Sequence, residues 1–467
     1  MPPPQDQTVE LNVAGAARTS DRRRRRWIWA GSGAAVLAAF VVALVGGVFD
    51  GVPLLNVSVA AVIETLAAVA LVRSWLHPDR RWLRRALPLL VGSVIVVCAG
   101  TAVLLRVTNT ITDAYPVTFG VWIGMALLAL VGTPFTVARG LPARRVTALL
   151  AVPLTLAGGL MLIDQEYGVW PAVGDLFGRL PTVNAAVLPS DLAGTPRGSR
   201  HPVPHAGELV ALDVPATASH FRHRPANVYL PPAFFTPARS TLPVLLMLAG
   251  SLGTPDHWPR AGQAVATANK YAAAHHGFAP ILLFVDQNGS STADTECVDG
   301  PQGNAETYLT VDVRNFAVNR LHVRSAPGGW GIVGFSEGGT CALDLALRHP
   351  DIYRHIIDLG GDDKPTFGDR AHTLSALFGG SDAQEKGHDP ARLLATTRFA
   401  GTTAWFTAGT DDPRHVAIAQ RFTVAARNAG IHASEFTGVG GHNWQFASAA
   451  FARVLPQLIP ELSAANG

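Results

Sequence analysis

The amino-acid sequence predicts a two-part protein: an all-α transmembrane domain of about five helices, then an α/β domain whose mainly parallel sheet is covered by helices on both faces. Three observations carry that prediction. Long apolar runs crowd the first third of the 467-residue chain. Beyond about residue 205, short apolar strands alternate with helical segments, as in a parallel sheet wrapped by helices. Between one such strand and one such helix stands Gly334-Phe335-Ser336-Glu337-Gly338, a Gly-x-Ser-x-Gly pattern at a strand-to-helix turn.

Residues 1–26 form a basic tail that ends in five consecutive arginines, Arg22 to Arg26. Apolar runs follow near 27–49, 52–72, 86–105, 117–138 and 146–163, each close to the roughly 20 residues that cross a bilayer. A cleaved signal peptide is not expected, because no Ala-x-Ala site is apparent and four more runs follow the first. Core helices of a soluble domain would alternate polar and apolar faces, and these runs do not. The arginines set the topology. Arg22 to Arg26, the loop with Arg73, Arg80, Arg81, Arg84 and Arg85, and the loop with Arg139, Arg144 and Arg145 alternate with poorly basic turns at Asp50-Gly51 and at 106–116. Basic loops stay cytoplasmic, so the N-terminus is expected inside and everything beyond Asp164 outside. The formal charge of +3 reflects those arginines, and the sequence shows no basic, aromatic-interleaved patch or nucleic-acid motif. From 164 to 204 the chain is juxtamembrane: 167–177 is apolar and aromatic, as if lying on the membrane surface, and 180–204 is a linker rich in Pro, Ala, Gly and Ser.

Residues 205–467 form the α/β domain. Strands are expected at 242–248, 281–285, 331–334, 355–359, 403–408 and 432–437, and helices at 258–275, 306–321, 338–349, 413–429 and 443–459. In such a sheet the site lies at the carboxyl ends of the strands. About 260 residues suffice for one domain with its own core.

Ser336 is the candidate nucleophile. Flanking glycines permit the strained turn that lifts its hydroxyl out of the backbone, and the helix N-terminus behind it favours developing negative charge. In this architecture an acid and then a histidine follow in chain order. Asp411 and Asp412 stand at the carboxyl end of the strand 403–408, one as the acid and the other as N-cap of the helix beginning at Pro413. Of the 16 histidines, His442 sits in the glycine loop Gly438-Val439-Gly440-Gly441 before the last helix, where an imidazole can reach Ser336. The oxyanion of a tetrahedral intermediate needs donors, and the backbone N–H of Glu337 and that of Ser251, in the loop Ala249-Gly250-Ser251-Leu252-Gly253, are placed to supply them. His201, His205, His220 and His223 lack zinc-ligand spacing and are taken as solvated loop residues. No metal site, phosphate loop or dinucleotide fingerprint is present, so no cofactor is implied.

The chain has three cysteines. Cys98 falls in the third apolar run, which leaves Cys297 and Cys341 as an even pair in a domain expected in an oxidising compartment, and a disulfide between them is expected. Two buried thiols are the alternative.

The loop Leu248-Ala249-Gly250-Ser251, Gly334-Phe335-Ser336-Glu337-Gly338-Gly339, Gly409-Thr410-Asp411-Asp412-Pro413 and Gly440-Gly441-His442-Asn443-Trp444 together resemble the esterase D-type α/β-hydrolases, which include S-formylglutathione hydrolases, feruloyl and enterochelin esterases and mycolyltransferases. The resemblance covers about 201–462, implies an α/β-hydrolase fold, and selects Asp412 over Asp411, since the acid there is the fourth residue of a Gly-x-x-Asp element. The mycolyltransferases take a glutamate from a different local context, which this chain does not match. The stretch Asp294 to Asp299, with Gly303 to Tyr308 after it, resembles actinobacterial members in particular.

The expected activity is a membrane-tethered serine esterase acting outside the cell membrane on an acyl ester. An acyltransferase handing its acyl group to a sugar or lipid alcohol is the first alternative, and a non-catalytic membrane assembly protein the second. The resemblance also suggests aminoacyl esters of membrane lipids as substrates, with Glu337, Asp294 and Glu296 facing the ammonium; their other reading is as capping and solvated carboxylates. Because a general base must be neutral and an ordinary imidazole titrates near pH 6.5, kcat/KM is expected to fall on the acid side.

Overall fold

In the computed structural model the described residues are 46–48, 50–75, 87–107, 117–139, 142–177, 203–290 and 293–464, with single positions at 42, 84, 180 and 182. The basic tail, nearly all of the first apolar run, His201 and most of the linker lie outside them. The chain divides into two compact units, the first built chiefly from the apolar helices and the second holding residues 178–467.

The first unit contains α1 (Val57–Trp75), the larger part of α2 (Leu87–Val107), α3 (Val117–Arg139) and most of α4 (Pro142–Tyr167). Asn56 starts α1 by accepting from the N–H groups of Ser58 and Val59. Small residues let these helices approach closely. A Cβ on Gly132 would stand 2.3 Å from the Trp75 ring, and one on Gly158 2.8 Å from the Trp122 ring. Such contacts suit helices that gain little from apolar burial and rely on close packing. Many apolar side chains nevertheless face outward, among them Val62, Leu66, Val69 and Val72 on α1. Two helical segments among the described residues, Val57–Trp75 and Ala143–Tyr167, are long and apolar enough to cross a membrane; the apolar stretches Leu87–Gly100 and Phe119–Pro134 are shorter. The structure therefore accounts for two such spans rather than the five read from the sequence.

The second unit is built on an eight-stranded sheet: β1 (Glu208–Leu212), β2 (Ala226–Leu230), β3 (Val244–Leu248), β4 (Ile281–Phe284), β5 (Trp330–Phe335), β6 (His355–Leu359), β7 (Thr403–Gly409) and β8 (His432–Gly438). Their spatial order is β1-β2-β4-β3-β5-β6-β7-β8, with β2 antiparallel to both its neighbours, β1 and β4, and the remaining pairings parallel. Strands β2 to β7 are buried along their whole length, as a sheet covered on both faces requires, whereas edge strand β8 alternates. Successive side chains point to opposite faces. Leu246, Ile332, Ile356 and Phe406 accordingly enter one core, and Leu245, Val333, Ile357 and Trp405 the other.

Helices α5 (Ala264–Ala274), α6 (Glu337–Arg348), α7 (Pro413–Asn428) and α8 (Trp444–Ala464) lie among the crossovers. The helix expected at 258–275 is two pieces, a single turn at His257–Arg260 and then α5, because Gln263 takes a left-handed φ of 49° and breaks the run. Strands β1 and β2 and the helices Arg370–Phe378, Asp382–Gly387 and Pro390–Thr396 were not among the sequence expectations. Parallel register aligns the carboxyl ends of the central strands: Leu248 pairs with Gly334, Phe335 with Leu359, Leu359 with Thr407, and Gly409 with Gly438. The loops that follow these ends carry Ser251, Ser336, Asp412 and His442.

Candidate active site

Ser336 occupies the turn between β5 and α6 with φ 57° and ψ −124°, a conformation L-residues rarely adopt. Its N–H donates to Leu359 O at 3.0 Å, which ties the turn to the end of β6. The two glycines of the pattern are there for space. A Cβ on Gly334 would meet Gly338 O at 1.7 Å, and one on Gly338 would meet Leu248 O at 2.4 Å. Strand, turn and helix are thus pressed together so that only the serine side chain projects.

His442 Nε2 lies 2.8 Å from Ser336 Oγ, and His442 Nδ1 lies 3.0 Å from Asp412 Oδ2. The imidazole is held by the Phe335 ring, 5.0 Å away between centroids, and Phe335 in turn packs edge-on against Trp444 at 5.0 Å. Asp412 follows β7 in a turn whose N–H donates to Gly409 O, while the N–H of Asp411 donates to Gly440 O and its side chain is exposed. Asp412 also caps α7, accepting from the N–H of His415 at 3.3 Å. One carboxylate therefore stands both against His442 and at the helix N-cap, positions that the sequence divided between Asp411 and Asp412. Burial pushes the Asp412 carboxyl up, but hydrogen bonds and charge from His415 and His442 outweigh it and hold the group well below the usual carboxylate range.

The loop after β3 passes close to the serine: a Cβ on Gly250 would stand 3.1 Å from that of Ser336. Gln287 Nε2 donates to Ala249 O at 2.7 Å and Trp258 Nε1 to Leu248 O at 2.7 Å, fixing the path of the loop. Among the described residues the backbone N–H groups of Ser251 and Glu337 have no acceptor. The Ser251 hydroxyl donates to Asp294 Oδ2 at 3.0 Å. The Glu337 side chain points inward, with Oε2 accepting from Asn288 Nδ2 at 3.0 Å and Oε1 buried without a partner; Asp294 Oδ1 and Glu296 Oε2 are likewise buried and unpartnered. Burial holds the Glu337 carboxyl well above the usual range, with the Asp294 charge adding to it. Burial does the same to Glu296, reinforced by Asp294 and Glu337.

Cys297 and Cys341 are joined in a disulfide with Cα atoms 5.6 Å apart, and Cys98 is free. The bond links the loop after β4 to α6 across 44 residues of sequence. Closing a loop of that length is worth roughly 2–4 kcal/mol through the unfolded state. A Cys297→Ala, Cys341→Ala double variant should lose about that much in denaturant unfolding, and reductant should destabilise the native protein by a similar amount and the variant not at all.

Two groups of metal-ligand types lie within 4.8 Å of one another among the described residues: Asp412 with His415 and His442, and Cys297 with Glu337 and Cys341. In the first, both histidine Nδ1 atoms are already committed to Asp412; in the second, the sulfurs are bonded to each other. Neither offers a free ligand set. His205 and His220 are exposed, and His223 is half-buried and stacked on Tyr308 with ring centroids 4.6 Å apart. Sequence reasoning missed His415 and Asp362. A signal existed for His415, three residues after Asp412 in the first turn of a helix; Asp362 comes from the loop after β6, and nothing local announces it.

A family model described as putative esterase matches residues 218–460, just over half of the chain. The chain belongs to the putative esterase family. It is accordingly a carboxylic ester hydrolase. An uncharacterized protein of Corynebacterium glutamicum is 29% identical over 406 residues, which span 85% of this chain and 92% of that relative. The MPT51/MPB51 antigen of Mycobacterium tuberculosis is 30% identical over 162 residues, 30% of this chain and about half (52%) of the antigen. Among solved structures, a ferulic acid esterase aligns with a TM-score of 0.48 at 18% identity, covering 55% of this chain and 99% of its own. An S-formylglutathione hydrolase of Agrobacterium tumefaciens aligns at 0.46 and 16% identity, covering 56% and 98%.

Proposed function

We propose that this esterase is tethered to the membrane by its N-terminal helices and hydrolyses acyl esters outside the cytoplasm. The observation that carries the chemistry is the continuous line Ser336 Oγ to His442 Nε2 at 2.8 Å and His442 Nδ1 to Asp412 Oδ2 at 3.0 Å. In this reading Ser336 attacks the carbonyl, His442 takes its proton and returns it to the leaving group, and Asp412 holds the imidazole and stabilises its cation. The unpartnered N–H groups of Ser251 and Glu337 receive the oxyanion, and water releases the acyl group. Outward-facing valines and leucines on α1, with close small-residue packing between helices, support a lipid environment for the first unit, and the arginine pattern supports an external catalytic unit. The remaining spans of a five-helix domain are part of the same proposal.

For the substrate, the membrane tether favours lipid esters, because it concentrates the site at the surface where they lie. Three carboxyl groups with buried, unpartnered oxygens beside Ser251 and Ser336 favour an ester whose acyl part carries an ammonium, such as an aminoacyl lipid. Comparative lipidomics of a strain lacking the gene tests this: accumulation of an aminoacylated lipid supports it, and an unchanged lipid profile overturns it. Incubation with alcohol acceptors separates hydrolysis from acyl transfer, since a transferase forms new ester faster than free acid. An intact protein that reacts with no serine-directed probe is not an enzyme of this kind.

A further inference from the structure

Asp412 carries more than a triad needs. Its Oδ2 accepts from two imidazoles, His415 Nδ1 at 2.6 Å and His442 Nδ1 at 3.0 Å, while Oδ1 takes the His415 backbone N–H. The two rings stack with centroids 4.3 Å apart and planes 25° from parallel. The His415 side chain is only 6% exposed, and its Nε2 stands 3.4 Å from Asp362 Oδ1. We propose that His415 is a positioning residue for the esterase reaction: it fixes the Asp412 carboxylate and places a second imidazolium charge against His442, which keeps His442 available as a base at lower pH. The inference rests on the triad reading above.

The groups around His415 come from three loops, a strand and its own helix. Asp412 and Asp362 contact it, Arg414 binds Asp362, His442 stacks on it, and Asp358 on β6 lies near enough to feel its charge. Burial pushes the His415 ring toward neutrality, but hydrogen bonds and charge from Asp362 and Asp412 outweigh it and carry its pKa up to about 9. At neutral pH the ring is therefore a cation shared by two carboxylates. Two effects on the triad follow. The short bond from His415 leaves Asp412 one orientation, with the remaining lone pair on Oδ2 directed at His442. A cation stacked 4.3 Å from the His442 ring also repels a second positive charge there, because like charges a few ångströms apart disfavour one another. A folded-state value near 9 against about 6.5 unfolded also means that His415 stabilises the fold fully below about pH 6.5 and that this contribution fades as pH rises through about 9.

The test is the pH profile of kcat/KM on a short-chain aryl ester. His415→Gln keeps a donor for Asp412 and removes the charge, so the acid limb should move to higher pH by about one unit, with kcat down roughly tenfold and KM little changed. His415→Lys, which restores a cation, should bring the limb back toward the native position. A kcat loss in His415→Gln with the limb unmoved overturns the proposal, since a purely structural histidine would do that. Should the variants not fold, the native protein decides through the nitrogen NMR shifts of its imidazoles. A ring still doubly protonated at about pH 8, whose signal moves when Ser336 is capped by a fluorophosphonate, supports the proposal; the absence of such a ring overturns it. Ser336→Ala separates the two readings. Turnover surviving in that variant removes the triad itself, whereas a dead Ser336→Ala beside an unmoved limb in His415→Gln removes only the role of His415.

Discussion

Ser336→Ala should lower kcat by about a millionfold and abolish labelling by a fluorophosphonate, with the thermal unfolding curve close to the native one. The magnitude follows from geometry. Ser336 Oγ is the atom that His442 Nε2 meets at 2.8 Å, and no other hydroxyl among the described residues hydrogen-bonds that ring. Its removal leaves the imidazole with nothing to deprotonate. Folding should be spared because the turn is held by its backbone: the N–H of Ser336 donates to Leu359 O, and its carbonyl accepts from Gly339 and Thr340. The positive φ at this position costs alanine no more than serine. Activity retained in a folded Ser336→Ala protein would exclude the proposed nucleophile.

The second large effect is expected at Asp412. Asp412→Asn should reduce kcat by about ten-thousandfold, because a side-chain amide presents donors where two imidazole N–H groups also donate. With its nitrogen in the place of Oδ2 it removes the tautomer that leaves Nε2 free to take the serine proton; with its nitrogen in the place of Oδ1 it opposes the His415 N–H, and either way the charge that stabilises the imidazolium is gone. Asp411→Asn should leave kcat within a few-fold of native, since that side chain is exposed and only its backbone N–H is engaged, with Gly440 O. A severe loss in the Asp411 variant with little loss in the Asp412 variant would reverse the assignment. The stability of the Asp412 variant carries a sign as well. A carboxyl held below its ordinary value stabilises the fold above about pH 4, and this contribution disappears as pH falls. The Asp412 variant should therefore differ from the native protein in unfolding free energy at neutral pH and converge with it in acid.

Much of the site is legible because the features that make it are local. Gly334 and Gly338 flank Ser336 within five residues, and the strand before them is a continuous apolar run that only a sheet buried on both faces explains. The acid and the histidine each follow a strand end, so chain order and parallel register are enough to bring them near the serine. The choice of Asp412 over Asp411 rested in the sequence on the resemblance, and its physical reason is tertiary. Backbone bonds to Gly440 O and Gly409 O turn one side chain to solvent and the other inward, and those bonds exist only once β7 and β8 are paired. The helix expected over 258–275 failed on a single left-handed residue, Gln263, whose type does not announce that conformation. The two strands at the start of the sheet were not read from the sequence, although they are no shorter than β3 or β4.

By itself the sequence determined an apolar-helical N-terminal part, an α/β part with a serine at a glycine-flanked turn, and the family to which the chain belongs. The first two depend on periodicity and composition, and the family on the resemblance of the motifs around Ser251, Ser336, Asp412 and His442; all are properties of neighbouring residues. Tertiary structure decided that Asp412, already favoured over Asp411 by the resemblance, accepts from both His442 and His415, that Asp362 backs His415, and that Asp294, Glu296 and Glu337 keep buried oxygens without partners. Apart from Asp412 and His415, which are three residues apart, these relations join residues from different loops, as with Asp412 and His442, 30 positions apart. Their energies come from burial and from charges a few ångströms away, quantities that exist only after the sheet has brought its strand ends together.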